Sequence, residues 1–211
     1  MLSCETVDVH VPRQKRSIAS TNRMLDAAEE LLAEFGSDAL TVEAVVSRAN
    51  TSNGAFFARF GNRQGLLLAM QDRFLARLET ESTILISSEN SSDDLYGALY
   101  EYVSHSLAIF LAYRNAFKAM MIQNLDSMSF RQRGNRATTA GVTDLTKLIR
   151  KYSHEISHRD IALAADVAFR VLFAVSTQRV MLDEGEVTGN RFTEETWNEE
   201  MTDLLYRYLT A

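Results

Sequence analysis

The stretch Thr41-Val-Glu-Ala-Val-Val-Ser-Arg-Ala-Asn-Thr-Ser-Asn-Gly-Ala-Phe-Phe-Ala-Arg-Phe60 decides the fold. Thr41 precedes Val42, Val45, Val46 and Ala49, apolar positions that share one face of a short helix. Its hydroxyl suits an N-cap, where it accepts a hydrogen bond from an otherwise orphaned backbone N–H. Asn50 follows, a residue type that tolerates the left-handed backbone of a tight turn. Ser52 is a second N-cap candidate and opens a helix carrying Phe56 and Phe60 one turn apart. Two short helices joined by such a turn can present the second to a major groove while the first crosses the backbone.

Working outward, Met24, Leu25, Ala28, Leu31, Leu32 and Phe35 fall at helical spacing, with Ser20 or Thr21 as the predicted cap and Gly36 as the stop. Asn62 is the predicted cap of a long helix in which Leu66, Met70, Phe74 and Leu78 recur every four residues. The Ser/Asn stretch from Ser87 to Ser92 interrupts the pattern. Helical runs then follow near Leu95–Tyr113, Ala116–Leu125 and Arg133–Tyr152. Ser157 with Asp160 resembles a capping box and opens a long apolar helix through Leu182, stopped by Gly185. A last helix is predicted from about Thr193 to Leu209. No stretch alternates with period two, so no sheet is expected, and no internal repeat is present. The fold class is therefore all-α. A flexible tail over 1–12 precedes a three-helix helix-turn-helix unit over 13–62, and a larger helical domain fills 63–211.

Bulk properties agree. Of 211 residues, 46% are hydrophobic and 24% charged, enough for a core and a solvated surface. Pro12 is the only proline, so nothing from Arg13 onward carries a proline break. The longest helical patterns are interrupted by charges, so no membrane partner is expected. No charged segment followed by an apolar run opens the chain as a secretion signal would. Cys4 is the only cysteine, which excludes an internal disulfide and suits a reducing, cytoplasmic setting. The net charge of −6 does not suggest nucleic acid. Its distribution leans the other way: residues 13–80 hold nine basic and eight acidic side chains, and 81–211 hold thirteen and eighteen.

The quoted stretch and the helix before it resemble the TetR-family DNA-binding domain. That family's pattern reads roughly T-V-x-x-I-A-x-x-A-G-V-S-x-G-T-L-Y-x-Y/H-F-x-x-K, after a helix of the form A-A-x-x-L-F-x-x-x-G. Ala27-Ala28-Glu29-Glu30-Leu31-Leu32-Ala33-Glu34-Phe35-Gly36 matches the helix, and Thr41, Ala49, Ser52, Gly54 and Phe60 stand at family positions. The likeness covers about residues 18–75. Departures are chemical. Val46 replaces a small alanine at the helix crossing, and Asn50 replaces the turn glycine. Phe57 replaces a tyrosine whose hydroxyl reaches a phosphate, a bond phenylalanine cannot make. Arg59 stands at the Tyr/His position, Gly61 where lysine or proline is common, and Arg63 at the phosphate-binding lysine.

The resemblance implies a regulator that binds a double-stranded DNA operator. It implies that Thr41, Ser52, Arg59 and Arg63 hold phosphates, that Asn53, Gly54 and Ala55 face base edges, and that Phe57 packs on sugar or a thymine methyl. Phosphate contacts would fix register and base contacts would read sequence. Arg13, Lys15 and Arg16 form a basic cluster just before the first predicted helix, either a DNA-touching arm or a solvated charge patch. The resemblance also implies a homodimer, with Ala165, Phe169, Trp197, Met201, Leu204, Leu205 and Tyr208 as interface candidates beside Ala162, Val175 and Leu182. Plain core packing is the competing reading. It further implies a small apolar effector, with Tyr100, His105, Phe110, Tyr113, Phe117, Met120, Met121, Gln123 and Asn124 as pocket candidates. Again, an aromatic and methionine stripe at helical spacing also fits ordinary core. No cofactor is expected.

Two other function classes compete. His154-Glu155-Ile156-Ser157-His158 matches H-E-x-x-H, the spacing of a zinc hydrolase on a continuous helix. The capping signal at Ser157 would interrupt that helix, and no third histidine follows, so no metal site and no enzyme are expected. A helical adaptor with a degenerate DNA reader, given Phe57 and Val46, is the remaining alternative.

Overall fold

The computed structural model describes residues 13–87, 92–182 and 187–211, and every described element is helical. The expected tail 1–12 with Cys4, and the Gly185 stop, lie outside them. Contacts divide the chain into two compact units, Met1–Ala69 and Met70–Ala211, and the division falls inside one continuous helix.

In the first unit, α1 runs Arg13–Phe35, α2 Val42–Arg48, α3 Asn53–Phe60, and α4 begins at Arg63. The local chemistry expected for α2 and α3 is in place. Thr41 Oγ1 accepts from the Ala44 N–H at 3.1 Å, and Ser52 Oγ from the Ala55 N–H at 3.2 Å. Asn50 is left-handed, with φ 48°, as the turn requires. Gly36 ends α1 at φ 76°, and its N–H bonds the Leu32 carbonyl at 3.1 Å. A short 3-10 turn over Ser37–Ala39 leads to Leu40, which is buried. Met24, Leu25, Ala28, Leu32, Val45, Phe56 and Leu66 are also buried in this unit.

One boundary differs from expectation. Helix α1 starts at Arg13, not at Ser20 or Thr21. The Thr21 hydroxyl turns back to the Ser17 carbonyl at 2.9 Å, a bond that helix interiors accept. The basic cluster Arg13, Lys15, Arg16 is thus on the first turn of α1, not ahead of it; its side chains lie outside the described residues.

In the second unit, α4 continues to Ser87, followed by α5 (Leu95–Ala112), α6 (Arg114–Asn124), α7 (Met128–Lys151), α8 (Ile161–Met181) and α9 (Glu194–Thr210). Its main core joins Leu95, Leu99 and Val103 of α5 with Leu145 and Ile149 of α7, Ala164, Ala165, Ala168 and Leu172 of α8, and Met201, Leu205 and Leu209 of α9. Helices α7 and α8 approach closely at Gly141: a methyl built there would stand 2.4 Å from the Phe169 ring. Helix α8 is capped by Asp160, whose Oδ1 accepts from the Leu163 N–H at 3.0 Å. The expected Ser157 cap does not form; the N–H groups of Ser157 and His158 instead bond the Leu209 carbonyl, at 3.1 and 3.2 Å. Helix α7 starts five residues before the expected Arg133, because Ser127 caps it. The expectation that no helix is apolar enough to span a membrane needs a correction. By length and composition α8 is: an 18-residue window of it has mean hydropathy 1.5, and only 28% of that window is buried.

Candidate nucleic-acid interface and ligand cavity

Helix α3 buries Phe56 and Phe60, whose rings meet edge-on with centroids 5.2 Å apart. Residues one turn apart share a face, so burying 56 and 60 turns 54, 57 and 58 outward, while Asn53 stays accessible because it opens the helix. Ser52, Asn53, Gly54, Phe57, Ala58 and Arg59 are all exposed, and Ala55 is half-buried. Phe57 is 52% exposed, a large ring half in water with its inner side against Phe56, centroids 5.6 Å apart. The structure thus leaves Ser52, Asn53, Gly54, Phe57 and Arg59 exposed along α3, with Asn53, Gly54 and Phe57 toward one side of it. Thr41 is exposed at the start of α2, with its hydroxyl engaged in the cap.

Several polar bonds that no sequence pattern announced hold this arrangement. Arg48 of α2 makes a bidentate pair with Glu34 of α1, at 2.8 and 2.9 Å. That hydrogen bond holds the Glu34 carboxyl below the ordinary carboxylate value. Arg23 Nε donates to the Ala49 carbonyl at 3.2 Å, tying α1 to the turn. Arg59 Nη2 donates to Ser17 Oγ. Arg63, given a phosphate role by the resemblance, is committed to the chain itself. Its Nε donates to the Leu40 carbonyl at 2.7 Å and its Nη2 to the Ser37 carbonyl at 3.0 Å. At Gly65 a methyl would stand 1.9 Å from the Phe60 carbonyl oxygen, so only glycine lets α3 end against α4.

The second unit encloses a cavity of about 320 Å³, walled by parts of α4, α5, α6, α7 and α8. Of the nine residues expected at a pocket, His105, Phe110, Phe117, Met120 and Met121 line it. Tyr100, Tyr113, Gln123 and Asn124 are not among its lining residues. Tyr113 caps the α5–α6 junction, with its ring 5.7 Å from Phe74. Asn124 is buried and its Nδ2 bonds the Met120 carbonyl at 3.3 Å. Sequence reasoning missed Gln71 and Phe74 on α4, Phe130, Gly134 and Gly141 on α7, and Phe173 on α8. Signals existed: a glutamine inside the apolar stripe of α4, and two glycines seven residues apart on α7. Phe169, expected at a dimer interface, lines the cavity instead.

The remaining interface candidates separate by burial. Ala165, Met201 and Leu205 are core residues of this chain, while Leu204 is 51% exposed. Trp197 and Tyr208 are half-buried, and Leu163, not anticipated, is 53% exposed on α8.

The H-E-x-x-H segment has a different role. His154 and Glu155 sit in a 3-10 turn, Ser153–Glu155, and His158 lies beyond it, so the two rings do not share a helix face. Glu155 Oε1 accepts from the Leu95 N–H at 2.9 Å and so anchors the start of α5. Among the described residues no group of three or more His, Cys, Asp or Glu side chains is placed to hold a metal.

The fold and its exposed α3 define a helix-turn-helix protein with a helical second unit that holds an apolar cavity. Residues 24–70 match the family model for bacterial regulatory proteins of the tetR family. That match spans α2, α3 and the parts of α1 and α4 beside them. The chain's fold is shared with a TetR-family regulator from Mesorhizobium loti, at 18% identity, 91% of this chain, 95% of that one and TM-score 0.65. It is also shared with NalD, a secondary repressor of a multidrug efflux pump in Pseudomonas aeruginosa, at 17% identity, 93% and 98% coverage and TM-score 0.64. A Rhodococcus protein of unknown function matches at 20% identity, 98% and 100% coverage and TM-score 0.67. No curated protein matches the sequence significantly.

Proposed function

We propose that the protein is a dimeric repressor, released from a palindromic operator by a small apolar effector. The observation that carries the DNA half is the outward face of α3, where Asn53, Gly54 and Phe57 are exposed while Phe56 and Phe60 anchor the helix. An exposed Asn amide can pair with adenine N6 and N7 in a major groove. Glycine and alanine beside it permit close approach. Dimerisation follows from the shortness of α3: one copy offers few contacts, and two copies reading successive grooves about 34 Å apart supply enough. The sparsely covered α8, with Leu163 on it and Leu204 on α9, supplies the apolar surface for the partner copy.

The effector half rests on the cavity. Its volume of about 320 Å³ falls in the range of small-molecule sites. A ligand that favours one separation of the two reading helices weakens DNA binding by its differential affinity for the two states. The protein would work in the cytoplasm, where its operator is. Selection of bound duplexes from a random pool tests the proposal. It should return a two-fold symmetric site whose halves lie one helical turn, or a multiple of it, apart. Recovery of no enriched sequence, or of single asymmetric sites, refutes it.

A further inference from the structure

We propose that the cavity takes a neutral, ring-bearing molecule that donates one hydrogen bond to Gln71. This deepens the effector reading above and rests on it for the cavity being a ligand site. The wall is aromatic: Phe74, Phe110, Phe117, Phe130, Phe169 and Phe173 all line it. Phe74, Phe110 and Phe117 meet one another at 5.2 to 5.5 Å, and Phe169 stacks on Phe173 with 8° between planes. Edge-to-face and stacked rings suit a flat, apolar guest.

Gln71 is the exception in this wall. It is 4% exposed and sits between Met70 and Phe74 on the apolar stripe of α4. Its Nε2 donates to the Phe130 carbonyl at 3.0 Å. A carbonyl only accepts, so that bond fixes which way the amide points. Oε1 is then left buried with no partner among the described residues. Such an acceptor is costly to leave empty, and a donor supplied from the cavity removes the cost.

Of the charged side chains at the cavity, two carboxylates are paired, and Glu79 and Arg131 stand in water. Asp144 pairs with Lys147 at 2.9 Å, Glu81 with Arg77 at 3.1 Å, and Arg131 donates to the Leu125 carbonyl at 3.2 Å. Glu79 is exposed. Burial, and then the charge of Asp144, push the Tyr102 phenol above its ordinary range, so it stays neutral. Among the described lining residues the charged groups shielded from water, Asp144 and Glu81, already have partners, so a charge carried in among the rings would lose its hydration uncompensated, which selects a neutral guest.

The test uses the full-length chain and calorimetric titration at neutral pH with naphthalene, 2-methoxynaphthalene, 2-naphthol and 2-naphthoate. Only the naphthol is a neutral donor. It should bind about tenfold or more tighter than the other three, the size of one satisfied buried hydrogen bond. In Gln71→Leu that preference should fall to about one while 2-methoxynaphthalene still binds. Should that variant fail to fold, the four-probe ranking in the unaltered chain decides alone. Equal affinity of naphthol and 2-methoxynaphthalene, as a water resident on Oε1 would give, overturns the proposal. So does naphthoate binding tightest, absence of binding by all four, or a donor preference that survives in a folded Gln71→Leu. The same probes are added to the operator complex. Donor-dependent binding that leaves operator affinity unchanged refutes the effector reading and leaves the Gln71 assignment standing.

Discussion

Asn53 and Arg63 stand ten residues apart and were given related duties by the family pattern, yet the structure treats them differently. Asn53 is exposed on α3 and its side chain bonds nothing among the described residues, so it is available to a base pair. Asn53→Ala should therefore relax sequence preference at one position per half-site, at about 1–3 kcal/mol, measured by competition among operator variants. Uniform loss across all sequences would contradict this. Arg63 bonds the carbonyls of Ser37 and Leu40, so removing it takes away an internal tie before any phosphate contact. Arg63→Ala should lower the urea midpoint of the free protein. If Arg63 also reaches a phosphate, the salt slope of DNA binding falls by about one unit per half-site. An unchanged midpoint with a reduced slope would restore the purely DNA-facing role. Gly65 shows the same local logic in steric form. Glycine to alanine inside a helix ordinarily stabilises by about 0.5–1 kcal/mol. With the Phe60 carbonyl 1.9 Å from the added methyl, Gly65→Ala should destabilise by about 1–3 kcal/mol in urea unfolding.

At the scale of elements, the parts visible in the sequence were those specified by neighbours in the chain. Thr41, Asn50, Ser52 and Asn62 each act within three residues, so the caps and turn of α2, α3 and α4 could be read directly. The start of α1 could not, because a hydroxyl at Thr21 serves equally as a cap or as a bond to the preceding turn. The Arg48–Glu34 clamp was hidden for another reason: its partners are fourteen residues apart on different helices. It carries a pH signature. The folded Glu34 carboxyl lies below its unfolded value, so its contribution is complete above the unfolded value. It is lost as pH falls through the folded one. Glu34→Gln should lower the melting temperature at pH 7 slightly, as befits an exposed pair, and the difference should vanish at strongly acid pH. A gap that persists in acid would mean that the carboxylate charge is not what the clamp uses.

For the whole molecule, the cavity and the proposed partner surface were the least legible in sequence, since both draw on segments far apart in the chain. An apolar stripe at helical spacing says that a face will be covered, not by which chain. Hence Ala165, Met201 and Leu205, read as interface, belong to the protomer core, and Phe169 lines the cavity. The exposed Leu163 and Leu204 carry the partner surface in the present reading. Leu163→Glu combined with Leu204→Glu should shift the protein from dimer to monomer in light scattering and raise its dissociation constant at least a hundredfold. Each side chain would forgo about 1.5–3 kcal/mol, and each copy carries both. A variant that stays dimeric places the partner elsewhere.

The sparse covering of α8 has a further consequence for any experiment that separates the copies. A helix with only 28% of its apolar window shielded is a sticky flank once it stands alone. Dilution or a neutral truncation would therefore drive the chain toward clumping, and a cloudy sample could be misread as misfolding. Glutamate at those positions lends the bared flank its own solubility, so the solitary subunit can be handled and weighed.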